Sequence, residues 1–507
     1  MVASASAGFS SSGGSSSYEL SNWSPALKSA DKDYLKDRNK VVARARDLAN
    51  TSGWASGALS RHLDSVIGTG FRLSSKPDYK ALGLTPEWAD DFAEKIETRW
   101  RLFADDPDFW IDASRQLNFS GILALAFRQY LLDGEALGVS LWLDEKPFGK
   151  YATTILMVDP DRLSNPDGKP DGDLIRGGVQ LSNEMAPVSY FIRKKHPNDW
   201  QYGASTFVWE CVPRETPWGR RTVIHAYEKE RADQTRGKSY MAPILERLKM
   251  IDKYDHVELQ AAVLNAVFAA FIESPMDPEM LGESLGVDSS EVSTYQSQRK
   301  EFHDDRHISV DGVRLPTLFP GEKVGTVNAA RPAAQFGDFE KACLRNIASG
   351  LGLSYEQLSQ DWSDVNYSSA RAALLEVGKH QARMRKSFAD QFATPIFHLW
   401  LEEAFSRGDL EIPAGAPDFY TAKAAYGSMR WIGTARGWVD PMKEVGAAQM
   451  RLDMGVSTLE DECAEQGKDW QDVLRQRARE IKVMEEHGLV APAWAKNLGS
   501  NSQESRE

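Results

Sequence analysis

Four side chains of metal-ligating type crowd into residues 303–307: His303, Asp304, Asp305 and His307. Imidazole and carboxylate are the ligands a zinc or similar divalent ion takes, so metal binding is the first chemistry to test. The spacing argues against it, because no HExxH pair or nuclease-type carboxylate arrangement is present and the segment is polar and turn-rich. The cysteines lead the same way. Cys211, Cys343 and Cys463 stand far apart with no CxxC pair, which implies neither a zinc cluster nor a disulfide framework and suits a reduced chain. Cys343 shares an apolar helical face with Leu344 and Ile347, the setting of a small buried thiol. His62 and His225 have no catalytic partner at motif spacing. No GxxxxGK[ST] loop occurs, so ATP-driven chemistry has no sequence basis, and Gly68, Gly70, Gly350 and Gly352 read as turn glycines. The expectation is a chain with no catalytic residue, no metal and no cofactor.

Basic side chains are the other candidates. Arg345, Arg371, Lys379, His380, Arg383, Arg385 and Lys386 gather around a polar stretch at 360–367. They can form solvated faces and ion pairs with Glu376 and Asp390, or some can face nucleic acid; both readings stand at this point. The formal charge of −13, from 60 basic and 73 acidic residues, excludes a broad positive grip on nucleic acid. It permits sparse, sequence-independent phosphate contacts on a chain past which DNA slides.

The elements that must position these residues are mixed. With 507 residues, 42% hydrophobic and 26% charged, the chain has material for about three structural units and is not disordered as a whole. The first 17 residues are small and polar, without the basic-then-apolar pattern of a secretory signal. Periodicity predicts helices at 31–48, 56–66, 85–103 (started by Thr85-Pro86) and 119–132. Strands follow at 136–143, 153–158, 177–181, 187–192 and 222–227, with a turn at Asn165-Pro166-Asp167-Gly168. A helix of about 30 residues, roughly 45 Å, is expected over 240–272. Its most apolar run, at 261–272, is too short to span a bilayer. A polar appendage then reaches about Gly325, with an extended piece at 307–310 and a turn at Phe319-Pro320-Gly321. Helices return at 339–348 and 368–406, the latter kinked at Pro395. Further helices are expected at 441–449 and 458–488, the last capped by Ser457 with Glu460 as its capping-box partner.

The stretches Asn22-Trp23-Ser24-Pro25, 64–71 (DSVIGTGF), Gln234-Thr235-Arg236-Gly237 and above all 350–370 (GLGLSYEQLSQDWSDVNYSSA) resemble phage portal proteins of the lambda type, and the resemblance covers about residues 20–495. It implies an α+β, mainly helical portal fold with wing, stem, clip and crown, assembled as a homo-oligomeric ring of about twelve subunits. The implied organisation is an arm at 1–20, wing at 21–238, first stem helix at 239–274, clip at 275–335 and second stem helix at 336–351. A turn and tunnel loop follow at 352–367, then a long kinked helix at 368–406, a return to the wing at 407–430, a helical crown at 431–495 and a tail at 496–507. The implied partners are double-stranded DNA without sequence preference, the terminase large subunit, major capsid and scaffolding proteins, and head-tail completion or adaptor proteins, with no membrane. The implied place is the portal vertex of the virion, after assembly in the host cytoplasm. A shorter ring-forming head-tail adaptor is the alternative.

The tunnel loop that the resemblance implies is Gln360, Asp361, Trp362, Ser363, Asp364, Val365, Asn366 and Tyr367. Its polar residues stay hydrated, and acidic groups repeated around a ring repel phosphate and favour sliding. Trp362 and Tyr367 are expected to anchor the loop on its own subunit.

Overall fold

The computed structural model describes residues 22–490 except 146, 200–206, 268–270, 274–293, 295–296, 299, 303–306, 311–312, 317–322, 326–335, 364 and 436–439. The chain folds as two compact units, one made of Met1–Leu245 with Ala348–Glu507 and the other of Glu246–Ile347.

The first unit opens with α1 (Ala30–Tyr34), α2 (Arg38–Thr51) and α3 (Gly53–Val66). The single helix expected over 31–48 is thus interrupted by a turn, which swings Arg38 inward to bond the buried Glu135. Strand β1 (Arg72–Ser75) and the short α4 (Tyr79–Leu82) lead to α5 (Pro86–Ala104). Thr85 caps α5 by accepting from the Trp88 amide, with Pro86 in the first turn as expected. Helix α6 (Phe119–Leu132) has the expected bounds; Asn118 caps it through the Gly121 amide at 2.9 Å.

Two antiparallel sheets follow. One has the order β3-β2-β8, from β2 (Glu135–Trp142), β3 (Thr153–Val158) and β8 (Val223–Tyr227). The other runs in sequence through β4 (Ile175–Arg176), β5 (Val179–Leu181), β6 (Pro187–Arg193) and β7 (Trp209–Pro213). Strand β7 was not expected, since its pattern alternates weakly and its outer edge is exposed. Leu137, Val139, Val158, Val179, Tyr190 and Val223 from the two sheets form one shared apolar cluster.

The second unit corrects the long-helix expectation at both ends. Pro243 lacks the amide proton a helix interior needs, so α7 begins at Leu245 and runs to Val267. Phe271–Glu273 is not helical but forms β9, antiparallel to β12 (Lys323–Gly325). The nearby Pro275 favours extended backbone before it. The extended piece at His307–Val310 is present as β10 and pairs with β11 (Val313–Pro316). His303, Asp304, Asp305 and the Phe319-Pro320-Gly321 turn lie outside the described residues. Helix α8 (Phe336–Gly350) buries Cys343, Leu344 and Ile347, as the apolar face predicted. Tyr254 of α7 meets Phe339 of α8 edge-on at 5.5 Å.

Back in the first unit, α9 (Tyr355–Ser359) precedes α10 (Tyr367–Phe388). The kink expected at Pro395 is a π-helical turn at Ala389–Ala393, followed by α11 (Thr394–Ser406). A proline cannot donate to the carbonyl four residues back and crowds it, and widening the ladder before Pro395 relieves both problems. This stretch forms the wall of the main core. Phe388, Phe392, Phe397 and Trp400 are fully buried, and Trp100 of α5 lies 5.0 Å from Phe119, 5.5 Å from Phe397 and 5.4 Å from Trp400. The buried Glu403 carboxylate ties α11 to the sheet by accepting from the Ala152 and Thr153 amides at 2.6 and 2.8 Å.

The chain ends with α12 (Lys423–Tyr426), β13 (Met429–Ile432), α13 (Pro441–Asp453), α14 (Leu459–Glu465) and α15 (Trp470–Glu486). Strand β13 pairs antiparallel with β1, across some 350 residues of chain. The single helix expected at 458–488 is split at Gly467, whose φ of 69° ends α14, and Asp469 caps α15. The cap of α14 is Thr458, not Ser457, and its hydroxyl receives the Asp461 amide. Helices α13 to α15 contain no buried residue. Polar contacts hold α14 and α15 to β1, α5 and β13. Arg72 pairs with Asp472, Lys76 with Glu460, Arg430 with Asp461 at 3.0 Å and Arg475 with Glu94 at 3.1 Å. Ser74 also donates to the buried Asp469 at 3.0 Å. Among the described residues, no helix is long and apolar enough to cross a membrane.

Candidate functional site

The polar stretch after α9 is shaped by its own side chains. Ser354 and Gln357 form a reciprocal capping box at the start of α9, an S-x-x-Q signature legible in the sequence but not used there. Gln360 adopts a left-handed conformation with φ 60° and ends that helix. Asp361 folds the loop on itself, its Oδ1 accepting from the Ser363 amide at 3.1 Å and the Ser363 hydroxyl at 2.5 Å. Asn366 caps α10 by accepting from the Ser369 amide at 2.9 Å. The loop expected at 360–367 therefore ends at Asn366, and Tyr367 is the first residue of the helix. Trp362, expected to anchor the loop, is 42% exposed, and the side chain of Tyr367 lies outside the described residues. Val365 is half-buried, and Asp364 lies outside the described residues.

The basic candidates separate into three groups. Arg371, Lys379, Arg383 and Lys386 are exposed on α10, within about 120° of one helical face. Lys379 pairs with Glu376 at 3.0 Å and Lys386 with Asp390 at 2.7 Å, the partners expected, while Arg383 reaches Glu228 at 3.5 Å. Such exposed pairs are worth roughly 0.3–0.5 kcal/mol, so phosphate oxygens can replace the carboxylates at little cost. Arg385 is different: it lies about 40° round α10 from Arg371, half-buried, and its guanidinium donates to the Ser65 and Val66 carbonyls at 2.5 and 2.9 Å. It pins α10 to the end of α3, in the DSVIGTGF stretch. Arg345 is exposed on α8, in a part of that helix that belongs to the other compact unit.

The Gln234-Thr235-Arg236-Gly237 stretch is a buried knot. Glu135, the first residue of β2, is fully buried and accepts from Arg236 Nε at 2.8 Å, Arg38 Nη2 at 2.7 Å and the Gly237 amide at 3.0 Å. His225 of β8 lies 3.0 Å from the same carboxylate. Arg236 uses all five of its N–H donors. Besides Glu135 they reach the Leu163, Gly177 and Pro160 carbonyls at 2.8, 2.5 and 3.0 Å. Burial alone would raise the Glu135 carboxyl, but the Arg236 and Arg38 charges and the His225 contact hold it well below the usual carboxylate range. Gly237 is required because a Cβ there would lie 1.9 Å from the Gly134 carbonyl oxygen. Sequence reading missed Glu135, Arg38 and His225 as partners of this motif, since about 100 residues separate Glu135 from Arg236.

One group among the described residues has metal-ligand types close together, Asp159, Asp161 and His196. Arg46 already occupies it, donating to Asp159 at 3.1 Å and Asp161 at 2.8 Å. A guanidinium there supplies the positive charge a cation would bring.

Comparison with known proteins places the chain among relatives. The family described as "Phage portal protein, lambda family" matches residues 16–385. The portal protein of Escherichia phage N15 is 34% identical over 495 residues, spanning 96% of this chain and 92% of that protein. Portal protein B of Escherichia phage lambda is 33% identical over the same extent of both. Among solved structures, a chain from the neck of a native gene transfer agent particle aligns with a TM-score of 0.42 and 11% identity, over 86% of this chain and 94% of that one.

Proposed function

The chain belongs to the lambda family of phage portal proteins, and from that premise we propose how its parts serve a DNA passage. As a member of that family it is a ring-forming component at the portal vertex of the capsid, structural rather than catalytic, through which double-stranded DNA is packaged. The observation that carries this is similarity at about one-third identity along 96% of the chain.

In this reading the ring holds about twelve copies. Residues 21–238 form the wing, 239–274 and 336–351 the stem helices, 275–335 the clip and 431–495 the crown. Support for the stem and clip comes from the compact unit Glu246–Ile347, which falls within that stretch. The clip docks the terminase large subunit during packaging and head-tail completion proteins afterwards, while capsid and scaffolding proteins surround the ring.

The loop at 360–366 and the exposed face of α10 line the passage. Arg371, Lys379, Arg383 and Lys386 make weak, sequence-independent phosphate contacts, each paired residue exchanging its carboxylate for phosphate as DNA moves. Asp361 keeps the loop folded and repels phosphate. Packaging by particles carrying Lys379→Gln together with Lys386→Gln tests this. DNA binding by the assembled ring is expected to weaken and to lose about two units of its log–log salt slope for each subunit that contacts the duplex. An unchanged slope removes these residues from the passage.

A further inference from the structure

The turn that introduces the loop is held by side chains from three other parts of the chain, and one placement of their protons makes every contact a hydrogen bond. Leu351 follows α8, and its carbonyl accepts twice. His62 of α3 reaches it through Nε2 at 2.9 Å, and the Tyr240 hydroxyl donates to it at 3.1 Å. A carbonyl can only accept, so His62 carries its proton on Nε2. Its Nδ1 is buried without a partner among the described residues. The same Tyr240 oxygen lies 2.7 Å from His380 Nε2. A phenol has one proton; since Tyr240 donates it to Leu351, His380 must donate from Nε2 to the Tyr240 oxygen. His380 Nδ1 is then the acceptor that faces Arg383 Nη2 at 3.4 Å. The chain of donors runs from His380 to Tyr240 to Leu351, and the acceptor that Nδ1 offers Arg383 exists only in a neutral His380.

The packing is as close as the hydrogen bonding. Gly352 has φ 62°, and a Cβ there would lie 2.7 Å from the His380 ring and 3.2 Å from the Tyr240 hydroxyl. The Leu353 amide returns to the Ala348 carbonyl at 2.9 Å, completing a C-terminal cap. From this turn only the capped α9 separates the clasp from the loop at 361–366.

We propose that His62, Tyr240 and His380 are positioning residues for the loop, a clasp that locks the 351–354 turn to α3 and α10 and opens when His380 takes up a second proton. That proton would sit on Nδ1, turning an acceptor into a donor against the Arg383 guanidinium and placing like charges side by side. The consequence for DNA rests on the reading of the loop as part of the passage; the clasp itself does not.

The groups facing His380 are Arg383 one turn along its own helix, Glu228 just after β8, Tyr240 and, behind it, His62. Burial and the Arg383 charge lower the His380 imidazole, with Glu228 opposing. His62 is pushed down to about 4 by burial and stays neutral. A depressed imidazole favours the fold fully above an unfolded value of about 6.5 and progressively less as pH falls. The clasp therefore weakens on the acid side.

Hydrogen exchange of the peptide spanning 352–366, measured on assembled full-length rings from pH 8 to pH 5 and corrected for intrinsic rates, tests this. Wild type should exchange slowly at pH 8 and several-fold faster at pH 5. Tyr240→Phe should exchange roughly fivefold faster already at pH 8, the factor that corresponds to one hydrogen bond of about 1 kcal/mol. His380→Gln retains a donor toward Tyr240 but cannot titrate, so it should remain slow and become flat with pH. A purely structural role would change rates without abolishing the pH response. A flat wild-type profile, or a wild-type response surviving in His380→Gln, overturns the clasp. A pH-responsive clasp in rings whose packaging ignores loop substitutions would instead overturn only the channel role of the loop.

Discussion

The core around α5, α6 and α11 and the C-terminal helices α13 to α15 are built by opposite means. The core buries Trp100, Phe119, Phe388, Phe392, Phe397 and Trp400 and includes one fully desolvated carboxylate, Glu135, wrapped by two guanidiniums. The C-terminal helices bury none of their own residues; α14 and α15 lie against the core through Arg72–Asp472, Lys76–Glu460, Arg430–Asp461 and Arg475–Glu94. Apolar burial is insensitive to moderate salt, whereas partly exposed ion pairs are screened within about 8 Å at physiological ionic strength. One part of this chain is therefore held by contacts that salt does not screen, and another answers to its ionic surroundings. Met442, Val445, Leu452 and Val456 remain exposed along and just beyond α13, a face the isolated chain does not cover.

The sharpest break of this contrast is at Glu135. Glu135→Ala leaves Arg38 and Arg236 buried without their counter-charge and is expected to cost roughly 3–5 kcal/mol, read from a urea midpoint. A loss below about 1 kcal/mol, the size of a surface pair, would mean that the knot is no stronger than the seam.

Glu97 lies where the two regions meet. It is buried on α5, accepts from the Ser75 amide at 2.8 Å, and is pushed up to about 7 by burial, with Asp469 adding to the rise. Because its folded value is raised, its contribution is complete below an unfolded value of about 4.3 and is lost as pH rises to about 7. Glu97→Gln keeps an acceptor for Ser75 without the charge. Its stability relative to wild type should rise across that window by roughly 1–3 kcal/mol and then level off. Denaturation midpoints at pH 5, 6, 7 and 8 check this, and a constant difference would show that Glu97 does not titrate in the fold.

The smallest effect concerns the seam. Asp472→Asn removes the partner of Arg72 and should lower global stability by no more than about 1 kcal/mol. Proteolysis within 441–490 should nevertheless accelerate, and raising salt should accelerate it in wild type as well. Equal protection of these helices at low and high salt would show that apolar contact, and not charge, holds them.

Much of the local structure was legible in the residues. The bounds of α6, the Thr85-Pro86 start of α5 and the pairing of Lys379 with Glu376 and Lys386 with Asp390 are decided within one or two helical turns, where periodicity and capping operate. The resemblance of 350–370 to a portal protein was legible for the same reason, as a contiguous string. Tertiary structure alone decided what those strings touch. It docked Arg385 onto the Ser65 and Val66 carbonyls, although spacing made it one more basic residue on that helix. It joined β1 to β13, and it gave Arg236 a carboxylate about 100 residues distant. It also ended α7 where β9 finds a partner in β12, against an apolar pattern that continued as a helix. A sequence carries each residue's own preferences, but a buried charge or a strand edge is satisfied only by a partner that the folded chain brings to it.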